Sequence, residues 1–436
     1  MNTNDAQVSL QKNKPFIILM TAQLISSIGD WLSLIAIISM VGLKWNAAPM
    51  EIAFIYLCLA FPMVSFGPLA GTFADRLNRK VLMIASDVGR AGLILLLIIA
   101  DSMAIVYVCL FLIGTLSAVF IPAKNGKLKE LVPHQQMKSA MAITSMIDSS
   151  TKILGPLLSG LLVSTFGATT VFLLDSMTFI VSAIFIGFVP KTYSMLKKEH
   201  THNNENQQLN PQHKISFKKD FLEGLSFLKR NTYLLFGMLY LGISLFILQL
   251  IDSQIIVLIR ELSNPSPELF GYIVSAVGVG MFITGFILSK KTTYNTIFLM
   301  MVGVCGMGVA FAILTLLTYL DTASAIIWGP SIGLLAGFAS ALVFIPFQAS
   351  VQMETPVHMT GRVFGVLTSI MNTATILGPL AGGMLVVIVG IIPAFTITSI
   401  LLIAISTIGF VLKGNIERRK IDVSKSERST QGAAPS

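Results

Sequence analysis

Seven ionisable side chains sit in stretches otherwise too apolar to hold them: Asp30, Asp87, Arg90, Asp148, Lys152, Asp175 and Asp252. A charge near the centre of a bilayer costs at least ~2.5–3.5 kcal/mol on insertion scales, so such groups face a partner or a water-filled cavity. Asp30 is ringed at helical spacing by Gln23, Ser26, Ser27 and Ser33, one polar stripe on an apolar helix. Asp252 has Gln249 and Ser253 beside it. No basic residue lies one helical turn from either. Each reads as an unpaired carboxyl able to exchange a proton near neutral pH, the chemistry a proton-coupled carrier needs. A protonated Asp bonding a neighbouring helix is the structural alternative.

The remaining charges sort by spacing. Asp148 and Lys152 are four apart and can pair on one helix face, with Thr144, Ser145 and Ser159 nearby. A buried pair adds little stability by itself, so this pair is expected to line a cavity. The matching stretch of the second half offers Thr368, Asn372 and Thr375, hydrogen bonds without charge. Asp87 and Arg90, three apart, read as a structural or gate-linked pair, and Asp175 as an anchor to a neighbouring helix.

The elements that position these groups follow from composition. Of 436 residues, 54% are hydrophobic and only 12% charged, about half the charged share of a soluble domain. Mean hydropathy is +0.79. A disordered chain is excluded, and so is a disulfide-stapled secreted fold, because Cys58, Cys109 and Cys305 each lie inside an apolar run. Twelve stretches are long enough to cross a bilayer: 16–41, 50–73, 81–100, 103–122, 139–163, 169–189, 233–259, 268–288, 296–317, 323–346, 363–388 and 392–412. The first is too long for a cleavable signal peptide and carries Asp30. With both termini cytoplasmic, the inside segments hold 26 of the 30 Lys and Arg; outside loops keep Lys44 and Arg260, and Arg90 and Lys152 lie within helices. The net charge of +9 therefore belongs to inside loops, and nucleic-acid binding is not its explanation.

The chain also repeats. ILGPLLSG at 153–160 matches ILGPLAGG at 376–383, a shift of 223 residues. At the same shift Gly114 falls on Gly337, Ser117 on Ser340 and Pro133 on Pro356. The expected architecture is all-α and polytopic, with two related six-helix bundles at 1–190 and 233–412. A cytoplasmic linker at 191–232 includes a segment that places Phe221, Leu225 and Leu228 on one face, either an interfacial helix or an early turn of the seventh span. A basic cytoplasmic tail occupies 413–436.

The loop GTFADRLNRK at 71–80 carries a G-x-x-x-D-R-x-x-R-[KR] pattern. With twelve spans and a half-chain repeat, it resembles the major facilitator superfamily over essentially the whole chain. Within it, SSIGDW, SDVGRA and LLDSMTFIVSA make the chain most similar to the third drug:proton antiporter family, which includes macrolide-efflux-like proteins and the enterobactin exporter. The resemblance implies that Asp75 caps a second-half helix, that Arg76 and Arg79 complete a charge latch, and that Gly71 allows close packing. The second-half copy keeps Gly285 but has Ser289 and Lys290 in place of the Asp and Arg, so the relay is expected to be asymmetric. GPLLSG resembles the tail of the antiporter motif of the fifth span, with Thr151 where a glycine is expected. Gly155, Pro156, Gly378 and Pro379 are expected to pack and bend helices at the seam between halves. The fourth span lacks the membrane arginine of the better-known multidrug antiporters.

The function expected is a secondary transporter of the cytoplasmic membrane that exports a small organic molecule in exchange for protons. Asp30 and Asp252 are the proton-coupling residues, and Gln23, Ser27, Asp148, Lys152, Gln249 and Asn372 line the cavity. Phe54, Phe61, Phe246 and Met371 supply an adaptable apolar wall. Lysophospholipid flipping and metabolite or siderophore transport are the alternatives. An enzyme or receptor role fits poorly. There is no P-loop, and the five histidines lie in loops outside any H-E-x-x-H pattern. The expected partners are the substrate, protons and the bilayer, with no cofactor, no metal and no nucleic acid, for a monomer.

Overall fold

The computed structural model describes residues 10–133, 136–190, 225–229, 231–265, 267–291, 294–355 and 359–431. The first half holds α1 (Lys14–Ser39), α2 (Pro49–Arg76), α3 (Arg79–Ile98), α4 (Met103–Leu131) and α5 (Met137–Phe188). The second holds α6 (Thr232–Asp252), the short α7 (Ile255–Ile259), α8 (Pro267–Ser289), α9 (Thr296–Tyr319), α10 (Ala325–Glu354), α11 (Thr360–Val389) and α12 (Ile391–Gln431). Eleven helices among the described residues are long and apolar enough to cross a membrane. One of them, α5, is two spans joined at Gly167, whose φ of 75° and ψ of 165° interrupt the helix. Twelve spans result, as the apolar stretches predict.

Local signals explain the ends. Asn13 and Asn231 cap the first helix of each half, accepting from Phe16 N–H at 3.2 Å and Leu234 N–H at 3.1 Å. Asn78 and Asn295 do the same for α3 and α9, accepting from Lys80 N–H at 3.1 Å and Phe298 N–H at 3.0 Å. Each cap satisfies a backbone donor that the first turn leaves without a helical partner. The duplication extends to the backbone: Gly390 (φ 88°, ψ 167°) ends α11 in the conformation that Gly167 adopts 223 residues earlier. This region of φ/ψ space is essentially reserved for glycine.

Several boundaries differ from those predicted. α4 does not stop at Pro122 but runs to Leu131. Ala123, Lys127, Leu128 and Leu131 keep the helical period on a buried face, and Lys127 pairs with Glu130 at 2.7 Å, so the lysines do not force an exit into solvent. The span at 233–259 breaks at Ser253–Gln254 into α6 and α7. Met40–Lys44 form a π-helical turn that ends the first span, and Asn46 follows with a positive φ of 51°. In the linker, residues 225–229 are helical with Leu228 buried, whereas Phe221 lies outside the described residues.

Two compact units emerge, Met1–Gln212 with Ser266–Ser275, and His213–Pro265 with Ala276–Ser436. In the first, α1 packs along α5, α2 along α4, and α3 against both α4 and α5. In the second, α6 packs along α11, and α9 against α10 and α12. Equivalent glycines set these approaches. Gly114 on α4 faces the Leu59 carbonyl of α2, and Gly337 on α10 faces the Val277 carbonyl of α8. Gly155 lies under the Trp31 ring of α1, and Gly378 lies against Gln249 of α6. Gly155 and Gly378 thus pack helices inside their own bundles, whereas Gly160 of the GPLLSG segment meets the Gly271 carbonyl of α8, and the Leu157 carbonyl accepts from Ser275 Oγ at 3.1 Å. That corrects the expectation that Gly155 and Gly378 serve the seam between halves. Small residues at these points let backbones meet, which is how helices associate where no hydrophobic effect drives them together.

Candidate functional site

The stripe on α1 opens into a cavity of about 570 Å³ within the first unit. Its wall is two-toned. Gln23, Ser27, Asp30, Lys124, Thr144 and Asp148 contribute polar groups, while Leu34, Ile37, Leu59, Met63, Ile94 and Ile113 close it with apolar ones. Because α1 and α4 run in opposite directions, Gln23 and Lys124 belong to the polar end and Ile37 and Leu110 to the apolar end.

Arg90 organises the polar wall. Its side chain is 3% exposed, whereas the Asp30 side chain is 50% exposed. Arg90 Nη1 lies 3.4 Å from Asp30 Oδ1 and 3.5 Å from Ser117 Oγ. Its Nη2 donates to Asp87 Oδ1. The guanidinium is also flanked by the rings of Phe120 and Phe179, at 4.8 and 4.3 Å from their centroids, a cation–π arrangement suited to its planar, permanent charge. Asp87 is fully buried, and its Oδ2 accepts from Ser182 Oγ at 2.7 Å. The two carboxyls therefore share one cation unequally. Asp87 is held on both oxygens, by Arg90 of its own helix and by Ser182 of α5, while Asp30 touches the guanidinium at long range and faces the cavity.

This arrangement corrects one expectation and extends another. Asp30 is not unpaired: its basic partner comes from α3, 60 residues away in sequence. Asp87 and Arg90 do form a buried pair within α3, and Arg90 in addition lines the cavity.

The predicted Asp148–Lys152 pair does not form. Asp148 Oδ1 instead accepts from Gln23 Nε2 at 2.7 Å across α1 and α5, and Lys152 is exposed and outside the cavity lining. The primary carboxamide of Gln23, brought to good distance by another helix, wins over a flexible lysine on the same helix, whose pairing is worth only about 0.2–0.5 kcal/mol. Lys124 and Asn125 line the cavity although the sequence places them in a loop; the helical spacing of Ala123, Leu128 and Leu131 is the signal that could have found them.

Asp175 anchors as expected. It is fully buried, accepts from Ser33 Oγ, and takes Thr178 Oγ1 at 3.2 Å. Gly29 makes room for this carboxyl, because a Cβ there would meet Asp175 and Thr178.

In the second unit Asp252 is exposed at the end of α6, where the helix breaks. No hydrogen-bond or ion-pair partner reaches its side chain among the described residues. Gln249 is buried with its Cβ against Gly378, Pro379 is buried beside it, and Asn372 is exposed on α11. Pro156 is a half-buried interior residue of α5. Phe54, Phe61, Phe246 and Met371 do not belong to the cavity wall, where Met63 and Phe120 stand instead.

At the end of α2, Gly71 and Asp75 lie in the helix, but their side-chain surroundings lie outside the described residues. Arg76 is exposed. Arg79 bonds Glu130 at 2.8 Å and the Gly126 carbonyl at 3.2 Å, both on α4.

Comparison with known proteins places this geometry. Residues 19–374 match the Major Facilitator Superfamily. The chain is 35% identical over 422 residues to the uncharacterized MFS-type transporter YfiS of Bacillus subtilis, covering 97% of this chain and 99% of that protein. It is 26% identical to macrolide efflux protein A of Streptococcus pyogenes, covering 83% of this chain and 86% of the relative. Its fold is similar to that of the crystallised nucleoside transporter NupG, with a TM-score of 0.65 at 12% identity, over 91% of this chain and 99% of NupG. A duplicated set of membrane-spanning helices with a charged cavity, and similarity along nearly its whole length to MFS-type transporters, make this chain a multi-pass membrane transporter that belongs to the Major Facilitator Superfamily.

Proposed function

We propose that this transporter exports a small organic molecule by alternating access, driven by protons that enter through Asp30. The observation that carries the reading is the position of Asp30, half-exposed in the cavity at 3.4 Å from a buried guanidinium. Three carboxyls, Asp30, Asp87 and Asp175, cluster around the cation Arg90. Full ionisation of the cluster would leave uncompensated negative charge in a low-dielectric site, which is expensive. Proton binding at Asp30 relieves this. Of the three, Asp30 has the exposed side chain, and it holds Arg90 less closely than Asp87 does. Proton loss restores the Asp30–Arg90 attraction, which gives the cavity two electrostatic states. Asp252 is the corresponding second-half carboxyl and, in this scheme, a second carrier that drives export only together with Asp30.

The export direction and the drug-like substrate rest on the likeness to macrolide efflux protein A. The orientation, with both termini cytoplasmic in the cytoplasmic membrane of a bacterium, rests on the distribution of Lys and Arg.

The test is erythromycin added to everted membrane vesicles that hold a pH gradient. Coupled export predicts partial collapse of the gradient in vesicles with the protein, and none in vesicles without it or with Asp30→Asn. Uptake of erythromycin that leaves the gradient unchanged would refute the coupling. Movement of labelled lysophospholipid without any response to soluble compounds would favour a flippase instead.

A further inference from the structure

Lys124 is a charged cavity residue without a partner among the described residues. It is 8% exposed, lies on α4, and lines the cavity. No acceptor among those residues lies within hydrogen-bond or ion-pair reach of its Nζ. A buried ammonium in that position is costly unless something pairs with it. The opposite charge that acts on it is Asp148, on the same cavity wall but without direct contact.

Asp148 is kept from swinging over to Lys124 by Gln23, whose Nε2 grips one carboxylate oxygen at 2.7 Å. Gln23 is itself 2% exposed, and its Oε1 has no hydrogen-bond partner among the described residues. The polar end of the cavity therefore presents an open ammonium, a carboxylate with one oxygen engaged, and an unfilled carboxamide acceptor. Two unlike charges held apart by a fixed scaffold are complementary to a dipolar ligand that fits between them. A purely cationic ligand, a basic macrolide included, is admitted but held more weakly because it leaves Lys124 facing like charge, and a purely anionic one does the same to Asp148. The apolar end, with Leu34, Ile37 and Ile113, suits an uncharged body.

We infer that the cavity selects a zwitterion with an apolar body, its anionic group on Lys124 and its cationic group on Asp148 and Gln23. This selectivity presupposes that the cavity is the transport site proposed above, but it concerns recognition and not coupling. Equilibrium binding reads it, with no proton gradient taking part.

Three probes with one phenylalkyl body separate the charges: homophenylalanine (zwitterion), 4-phenylbutyrate (anion) and 3-phenylpropylamine (cation). Calorimetric titration of the full chain in detergent is expected to rank homophenylalanine at least about tenfold tighter than either of the others, the scale of one charge-assisted hydrogen bond. Lys124→Gln is expected to bring the zwitterion down to the level of the cation, and Lys124→Arg to keep the ranking. Asp148→Asn is expected to raise the anion to the level of the zwitterion, which carries the test should Lys124→Gln not fold. Lysophosphatidylethanolamine against lysophosphatidylglycerol in nanodiscs separates the two sources of a zwitterion. Tighter binding of the former with the same Lys124 dependence identifies a lipid headgroup, and its absence beside homophenylalanine binding identifies a soluble molecule. Equal binding of the three phenylalkyl probes, binding of none of the five probes, or a zwitterion indifferent to Lys124→Gln and Asp148→Asn would overturn the inference.

Discussion

Arg90 stands between two carboxyls that it treats unequally: Asp87, buried and bonded on both oxygens, and Asp30, 3.4 Å from Nη1 and open to the cavity. One fixed cation thus joins a buried pair to a cavity-facing one. The geometry needs guanidinium, because only its fork can reach Asp87, Asp30 and Ser117 at once while lying between two rings.

Removing that cation should therefore destabilise the bundle more than it would a surface pair. Arg90→Gln is expected to cost about 3–5 kcal/mol, since it strands Asp87 in the interior. Adding Asp87→Asn should recover a large part of the loss. Thermal unfolding in detergent of the two single variants and the double variant measures this coupling, and additive losses would contradict it.

Glycine contacts predict a second, chemically unrelated set of losses. A methyl group at Gly114 meets the Leu59 carbonyl, and one at Gly382 meets the Leu250 carbonyl, both backbone atoms that cannot turn aside. Gly114→Ala and Gly382→Ala are expected to cost about 1–3 kcal/mol each. At Gly92 a methyl group would meet nothing within 4 Å, so Gly92→Ala is expected to be neutral or stabilising by about 0.4–1 kcal/mol. Melting temperatures of the three variants, compared side by side, check the contrast.

Outside the spans, Asp321 links α9 to the loop after α7. It accepts from the Ser263 hydroxyl and, at 3.1 Å, from the Ser263 backbone N–H. These bonds hold its carboxyl below the ordinary value of 3.8. A depressed carboxyl stabilises the fold above its ordinary pKa and loses that contribution as pH falls through the lower, folded value. Protection of the Ser263 amide from hydrogen exchange, corrected for the intrinsic rate, is thus expected to be constant from neutrality down to about pH 4 and to fall below it. Asp321→Asn should flatten the profile, and its φ of 46° is one that Asn tolerates.

Much of the architecture is legible in the sequence. Span lengths follow from hydropathy, and the 223-residue repeat reappears as paired glycine contacts, Gly114 with Gly337 and Gly155 with Gly378. The polar stripe around Asp30 follows from the 3.6-residue period. What periodicity cannot supply is the partner from another helix. Arg90 reaches Asp30, and Gln23 displaces Lys152 from Asp148, through contacts 60 and 125 residues apart in sequence. Lys124 is hidden for a different reason. The lysines and prolines between 122 and 138 imitate a loop, and only burial of one helical face reveals that α4 continues.

If Asp30 carries the coupling proton, it should be dispensable for the substrate to cross. Proteoliposomes containing Asp30→Asn separate the two roles, by comparing erythromycin accumulation driven by a pH gradient with erythromycin exchange at equal pH. Exchange is expected to persist while driven accumulation disappears. Wild-type levels of driven accumulation in Asp30→Asn would show that the coupling proton travels elsewhere.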